Sequence, residues 1–225
     1  MNLIISCEHA GNQVPACYNH IFADIKNVLD SHRGWDPGAL DIARFLATEC
    51  NAPLFSCDTT RLLIETNRSL HSHQLYSEYS KKLYETDHDA ILNQYYYPHR
   101  NAVEELITKV SKPALHLSIH TFTPVLHGHT RTVDIGLLFD PQRKKEIDFS
   151  QMLADELEQH LPHFNIDFNE PYKGTDDGFT SYLRTKFNDD EYLGIEIEVN
   201  QKYIGTEKWE MICIALKESL YNVLY

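Results

Sequence analysis

Three apolar segments of the chain each end in residues that can bind a metal ion or transfer a proton. They span residues 3–9, 114–120 and 193–200, and they read LIISCEH, ALHLSIH and LGIEIEVN. Apolar runs of this length are typical of strands, and the first two are typical of largely buried ones. In an open α/β sheet, ligands bind in the crevice beyond the carboxyl ends of the strands. The sequence therefore predicts a sheet that brings two histidines and a glutamate to such an edge.

Each of these three residues, His9, His120 and Glu198, also has an ordinary role when it is taken alone. A histidine at a strand end is more often a hydrogen-bonded surface or core residue than a metal ligand. A glutamate there is usually solvated. The coincidence of all three with Asp36, which lies between the two histidines in the sequence, makes a metal-dependent hydrolase the first hypothesis.

Predicted strands and helices alternate along the whole chain, which is typical of an α/β protein with a mostly parallel sheet. The length of 225 residues suits one domain, residues 1–225. We expect a three-layer α/β sandwich with a mostly parallel mixed sheet. After the first strand, strands are predicted at residues 53–57, 61–65, 114–119, 133–139 and 192–199. Helices are predicted at residues 36–50, 77–109, 149–160 and 208–223, the second of them interrupted at Pro98.

Charge and cysteine content restrict the partners of the chain. The formal net charge of −13 argues against a nucleic-acid partner, which requires a basic surface, and favours a small molecule. Five cysteines without a C-x-x-C pair are typical of reduced thiols in a cytoplasm. No secretory signal or membrane-spanning run is recognisable, so we expect a cytoplasmic protein without a membrane partner. The oligomeric state is not constrained.

A catalytic zinc site usually has three protein ligands, of which His9 and His120 supply two. Asp36 is one choice for the third, although Asp followed by Pro37 is also a strong pattern for the start of a helix. Glu8 is the alternative ligand, but neighbours on a strand point to opposite faces.

Several short motifs resemble the N-formylglutamate amidohydrolase family, in order through essentially the whole chain. They are SCEHAG at residues 6–11, RLLIETNR at 61–68, LSIHT at 117–121 and IEVN at 197–200, together with YPH at 97–99 and PYKG at 171–174. The resemblance implies a zinc-dependent amidase with a phosphorylase/hydrolase-like (zinc exopeptidase-like) fold. Such an enzyme cleaves a formyl or similar amide from an acidic amino acid. Two positions differ from the usual pattern: Glu65 stands where Asp is more frequent, and Thr121 stands where Ser is usual.

The resemblance also implies roles for individual residues. His9, Asp36 and His120 match residues that would bind one Zn²⁺ or another divalent ion, and Glu198 matches the glutamate that would act as general base. Glu196 is expected to point to the opposite face of the strand, away from the metal.

Substrate binding is expected from Asn67 and Arg68, which match the Asn-Arg pair of the family, and Arg61 and Arg131 are further candidates. An arginine can hold a substrate carboxylate through two parallel hydrogen bonds, although a structural ion pair is the alternative for the last two. The order of His, acidic residue, His and late Glu is also similar to N-acetylmuramoyl-L-alanine amidases. A cell-wall or peptide amidase and a non-catalytic binding protein with this fold therefore stay open as alternatives.

Overall fold

The computed structural model describes residues 1–224, which form a six-stranded sheet between two layers of helices. The strand order is β2-β1-β3-β8-β6-β7, and all pairs are parallel except that of β6 with β8. The strands of this sheet are β1 (Asn2–Cys7), β2 (Leu54–Ser56), β3 (Ala114–Phe122), β6 (Ile135–Leu138), β7 (Ile166–Phe168) and β8 (Tyr192–Asn200). Two further strands, β4 (Val125–Leu126) and β5 (His129–Thr130), form a small hairpin.

The helices are divided between the two faces of the sheet. They are α1 (Asn19–Phe22), α2 (Lys26–Leu29), α3 (Ala39–Glu49), α4 (Glu85–Ile91), α5 (Tyr97–Lys109), α6 (Lys144–His160), α7 (Phe179–Lys186) and α8 (Glu207–Leu224). Helices α3, α6 and α8 cover one face, while α5 and α7 cover the other. The predicted fold class, a three-layer sandwich with a mostly parallel mixed sheet, is confirmed.

Alternation along β3 separates apolar from polar side chains. Leu115, Leu117 and Ile119 belong to the large core beneath α3, α6 and α8. The intervening residues, His116, Ser118 and His120, are buried as well, and they make hydrogen bonds on the other face of the sheet. Because side chains on a strand alternate between faces, the polar residues of β3 share one face with each other.

The first predicted helix begins later than the sequence pattern indicated. It was expected over residues 36–50, but α3 starts at Ala39, and Gly38 is its N-cap with a φ of +84°. At Gly38 a Cβ atom would lie 2.7 Å from the ring of Trp209, so the glycine permits both the turn and the close approach of α8. Asp36 therefore precedes the cap, and its carboxylate is free for other contacts.

Residues 61–65 form a turn at 61–63 followed by irregular chain, and not the predicted strand. Leu62, Leu63 and Ile64 are buried, which explains the apolar run, but they pack in a separate cluster with residues such as Tyr96. The backbone hydrogen bond of Leu63 is local, to the carbonyl of Thr60 at 2.9 Å. A short apolar run indicates burial, and its length alone does not select a strand.

The helix predicted over residues 77–109 is divided into shorter pieces. A 3₁₀ turn at Ser80–Lys82 precedes α4, and a π-helical segment at Leu92–Tyr96 connects α4 to α5. Pro98 lies in the first turn of α5, where its missing N–H group is tolerated. Within residues 1–224, no helix is long and apolar enough to cross a membrane.

Candidate active site

The candidate site lies where the neighbouring strands β1, β3 and β8 end. His9 follows the end of β1 in a turn, and His120 lies on β3. In the parallel pairing of β3 with β8, His120 is directly opposite Glu198. The sheet order therefore brings together the three strand-end residues that the sequence singled out.

Asp36 contacts both histidines through one carboxylate oxygen. Its Oδ2 lies 3.0 Å from Nδ1 of His9 and 2.9 Å from Nδ1 of His120. The backbone N–H of Asp36 donates to the carbonyl of His9 at 3.1 Å, which fixes the loop before α3 against the end of β1. Side chains from three separate elements thus converge with their ligand atoms facing one another.

The geometry of these three residues fits a divalent metal ion. Possible ligand atoms of His9, Asp36 and His120 all lie within 4.8 Å of one another, and all three residues are buried. Around a tetrahedral zinc with ligand distances of about 2.0–2.2 Å, neighbouring ligand atoms are about 3.3–3.6 Å apart. The two contacts of Asp36 are slightly shorter than this, so a small outward movement would accommodate the ion.

The second ring nitrogen of each histidine meets a hydrogen-bond partner on the side away from the cluster. Nε2 of His9 contacts the carboxylate of Glu65. Nε2 of His120 lies 3.0 Å from Oγ of Ser118 and 3.2 Å from Oε2 of Glu8. Metal-binding histidines usually donate their other N–H to such a group, which fixes the ring orientation. Glu8, the alternative third ligand, lies on this outer side of His120, and its carboxylate also contacts His99 at 3.1 Å.

Arg61 contributes to the support of the cluster. Its Nε donates to Glu65 at 2.7 Å, and its Nη1 donates to Asp36 at 3.2 Å. The guanidinium is therefore engaged by two carboxylates of the site. These contacts are those of the structural ion pair, which was the alternative to substrate binding for this residue.

The site has an excess of acidic groups. Four buried carboxyl groups surround the two histidines: Glu8, Asp36, Glu65 and Glu198. Burial by itself would lower the pKa of His120, but its contacts with Asp36 and Glu8 raise that pKa well above the ordinary value. Buried charges of one sign are costly unless they are compensated, and a divalent cation would neutralise this group of carboxylates.

Glu196 and Glu198 both face the cavity of the site, so the expectation that Glu196 points away is wrong. Residues two apart on a strand lie on the same face, and both side chains are buried. Glu196 accepts a hydrogen bond from Oγ1 of Thr180 at 2.5 Å. Glu198 differs, because its Oε2 is buried without a hydrogen-bond partner. Burial, with the nearby charges of Asp36 and Glu196, raises the pKa of Glu198 to about 8.

A cavity of about 130 Å³ opens over the cluster. Asn67 and Arg68 line it, as does Arg61, and Nδ2 of Asn67 lies 3.4 Å from Nε2 of His120. Arg131 lies farther out: it stacks on Tyr172, a residue of the cavity wall, with its guanidinium 4.9 Å from the ring centre. The structure thus brings three of the four proposed substrate-binding residues to the cavity and places Arg131 behind its wall.

Sequence reasoning gave no role to three residues that contact the site: Ser118, Glu65 and Tyr172. Ser118 precedes His120 by two residues on β3, so strand alternation was a usable signal for it. Glu65 lies in the segment that was predicted as a strand, and Tyr172 lies in a loop. Their placement depends on loop conformation, for which the sequence has no comparable periodicity.

Comparisons with known proteins identify the family and the fold of the chain. Residues 1–205 match the family model described as N-formylglutamate amidohydrolase. The structure of the gene product Atu2144 from Agrobacterium tumefaciens is similar, with 28% identity, a TM-score of 0.79 and coverage of 100% of this chain and 92% of that chain. The N-formylglutamate amidohydrolase from Ralstonia eutropha JMP134 has the same fold, with 15% identity, a TM-score of 0.61 and coverage of 99% and 93%. No curated protein sequence shows a significant match.

Proposed function

The chain belongs to the N-formylglutamate amidohydrolase family, and from this premise we propose that it is a metal-dependent amidohydrolase. It cleaves a formyl or other N-acyl group from a small, acidic amino acid, and residues 1–225 act as one domain. The observation that supports this most directly is the buried cluster of His9, Asp36 and His120 beside Glu198. In a hydrolytic metal site, the protein supplies three groups that bind the ion and one carboxyl group that transfers a proton.

His9, Asp36 and His120 would hold the ion. When bound, zinc supplies a Lewis acid that polarises the amide carbonyl and lowers the pKa of water to about 7. Glu65 and Glu8 keep the two imidazole rings oriented through their Nε2 atoms.

Glu198 acts as the general base and then as the general acid. It accepts a proton from the attacking water, whose oxygen forms a bond to the carbonyl carbon. It then returns that proton to the nitrogen when the carbon–nitrogen bond breaks. Its Oε2 has no other hydrogen-bond partner, so the carboxyl group is available for both transfers. A pKa raised toward neutrality suits a group that must accept and donate a proton near pH 7.

Arg68 and Asn67 bind the amino-acid part of the substrate. A protein with a net charge of −13 repels anions at long range, so an acidic substrate requires a local basic group. Arg68 lines the cavity, and its guanidinium donates to Gln74 and to the carbonyls of Asn67 and Asp177. The guanidinium of Arg61, in contrast, is already engaged by the carboxylates of Asp36 and Glu65. The cavity volume of about 130 Å³ favours a small substrate over a peptide.

The test combines metal analysis with a substrate panel. Purified protein should contain about one divalent metal per chain, as one catalytic site requires. It should hydrolyse N-formyl or N-acetyl derivatives of glutamate and aspartate faster than those of leucine. His120→Ala should lose the metal and the activity, while His129→Ala, at an exposed histidine of β5, should keep both.

Two results would contradict the proposal. Hydrolysis of muramoyl-peptides alone would favour a cell-wall amidase. Bound metal without any amidase activity on the panel would favour a non-catalytic binding protein.

A further inference from the structure

Arg100, on α5, is a deeply buried arginine whose charge is surrounded by aromatic rings. Only 3% of the residue is exposed. Its guanidinium carbon lies 4.8, 4.4 and 4.5 Å from the ring centres of Tyr96, Phe179 and Tyr182. Within the described residues 1–224, no carboxylate lies within 4 Å of its guanidinium nitrogens.

Three other arginines, whose side chains are at most a quarter exposed, differ from Arg100 in this respect. Arg61 pairs with Asp36 and Glu65 in the candidate active site. Arg143 and Arg184 both pair with Glu146, which is fully buried. Buried charges in proteins are normally paired, so the absence of an anion beside Arg100 is a specific feature of this position.

The hydrogen bonds of Arg100 leave part of its guanidinium unused. Nη1 donates to the carbonyl oxygens of Thr66 at 2.9 Å and Arg68 at 3.4 Å. Nη2 is buried and has no hydrogen-bond partner. A guanidinium normally presents its donors to planar acceptors such as carboxylates, so a donor is available for a ligand.

A cavity of about 210 Å³ has Arg100 in its wall, together with two of the tyrosines that contact the guanidinium, Tyr96 and Tyr182. Tyr96, Tyr97, Tyr182 and Leu70 are the aromatic and aliphatic residues of its wall. Its lining residues are all different from those of the candidate active-site cavity. Ligand sites in proteins are commonly apolar pockets with a few polar groups that orient the ligand.

We propose that this second cavity binds a small carboxylate with an aromatic or aliphatic body. The ligand displaces side chains that cover Nη2 of Arg100, and its carboxylate then accepts a hydrogen bond from this group and neutralises the charge. The body of the ligand packs among the tyrosine rings and Leu70. A hydrogen bond between two charged groups in a buried site is strong, and the flat tyrosine faces suit a planar ligand.

Benzoate is a suitable probe, and its neutral isostere benzamide is the matched control. Titration of the metal-loaded protein, followed by calorimetry or NMR, should show saturable binding of benzoate. Benzamide should bind at least ~10-fold more weakly, because it lacks the charge that Arg100 requires. Equal binding of the two compounds would overturn the proposed pairing, and so would a failure of benzoate to saturate at millimolar concentration.

Two arginine variants test whether benzoate binds in this cavity. Arg100→Met should weaken benzoate binding at least ~10-fold through loss of the charged donor. Arg131→Met is the matched control, since Arg131 also stacks on aromatic rings but lies outside this cavity, and it should bind benzoate normally.

Leu70→Trp keeps the test valid if Arg100→Met does not fold. Leu70 is 43% exposed at the rim, so a larger side chain there should fill the cavity without disturbing the core, and it should abolish binding. Benzoate binding that persists in Leu70→Trp would contradict the assignment. Binding that is lost in His120→Ala would place the probe at the metal and would also contradict it.

Discussion

The two faces of the central sheet differ in composition although the same strands form both. Toward α3, α6 and α8, strands β1, β3 and β8 present mainly apolar side chains such as Leu117 and Ile197, with Thr121 as a polar residue near the end of β3. Toward α5 and α7, the same strands present Ser118, Glu196 and Glu198, which are equally buried. The first face excludes water around a core, while the second places polar groups in hydrogen-bond networks and beside a cavity.

This difference indicates that stability and chemistry can be altered separately at adjacent positions. Apolar burial contributes to stability in proportion to the area removed from water. Buried polar groups contribute little net stability but fix particular geometries. In the pairing of β3 with β8, Ser118 is opposite Glu196, and His120 is opposite Glu198. Substitutions at neighbouring residues of a strand should therefore affect different properties: stability on the apolar face and catalysis on the polar face.

The largest effect on catalysis is expected at Glu198. Glu198→Gln preserves size and much of the hydrogen bonding but removes the proton acceptor, so kcat should fall by roughly 10²–10⁴. Metal content and the unfolding midpoint should stay close to those of the wild type. Ile197→Val, one residue away on the apolar face, is the control: it should cost about 0.5–1.5 kcal/mol of stability and leave kcat unchanged. If Glu198→Gln keeps wild-type activity, the polar face lacks the proposed base.

The largest effect on stability is expected at Leu117, which is fully buried on the apolar face. Leu117→Ala should lower the free energy of unfolding by roughly 2–5 kcal/mol, measured by urea denaturation, because it removes apolar contacts and leaves a cavity. Turnover per folded molecule should not change. A specific loss of kcat in this variant, with metal content intact, would show that the two faces are coupled.

An intermediate effect is expected at Glu65, which orients His9 from outside the cluster. Glu65→Gln should weaken metal affinity by roughly 10–100-fold, the usual consequence of losing such a partner. Competition with a chelator measures this affinity independently of activity. Glu78→Gln is the control, since Glu78 is an exposed carboxylate that also pairs with an arginine, Arg33, and it should have no effect. Equal affinities of all three proteins would mean that Glu65 does not support a metal ligand.

The sequence predicted the strands whose apolar and polar side chains follow a regular pattern. The strands β3 and β8 were located from their apolar runs, and the residues at their ends were identified from the same runs. Segments without a regular alternation were predicted less well. Residues 61–65 form no strand although residues 62–65 are buried, and the contact between Arg61 and Asp36 joins two loops. Local sequence does not encode which distant loop will lie nearby.

The aromatic surroundings of Arg100 could not be predicted for a related reason. Its three ring partners come from the π-helical segment Leu92–Tyr96 and from α7, which are far apart in the sequence. The orientation of Glu196 was predicted wrongly, although strand alternation specifies it: residues two apart on a strand share a face, and the structure places Glu196 beside Glu198. Periodicity therefore specifies the face on which a residue lies, while tertiary packing specifies its partners.

The smallest effect is expected at Glu196, which lies on the polar face beside Glu198 but already accepts a hydrogen bond from Thr180. Glu196→Gln should keep the metal, because the cluster of possible ligands does not include this residue. Since Glu196 faces the cavity, the loss of its charge should still change kcat/KM, by less than about 10-fold, the value of one ordinary hydrogen bond. Steady-state kinetics on an N-acyl acidic amino acid measures this change, with Ile195→Val on the apolar face as the control. A loss as large as that in Glu198→Gln would assign part of the proton transfer to Glu196, because two carboxyl groups on one strand face can reach the same substrate.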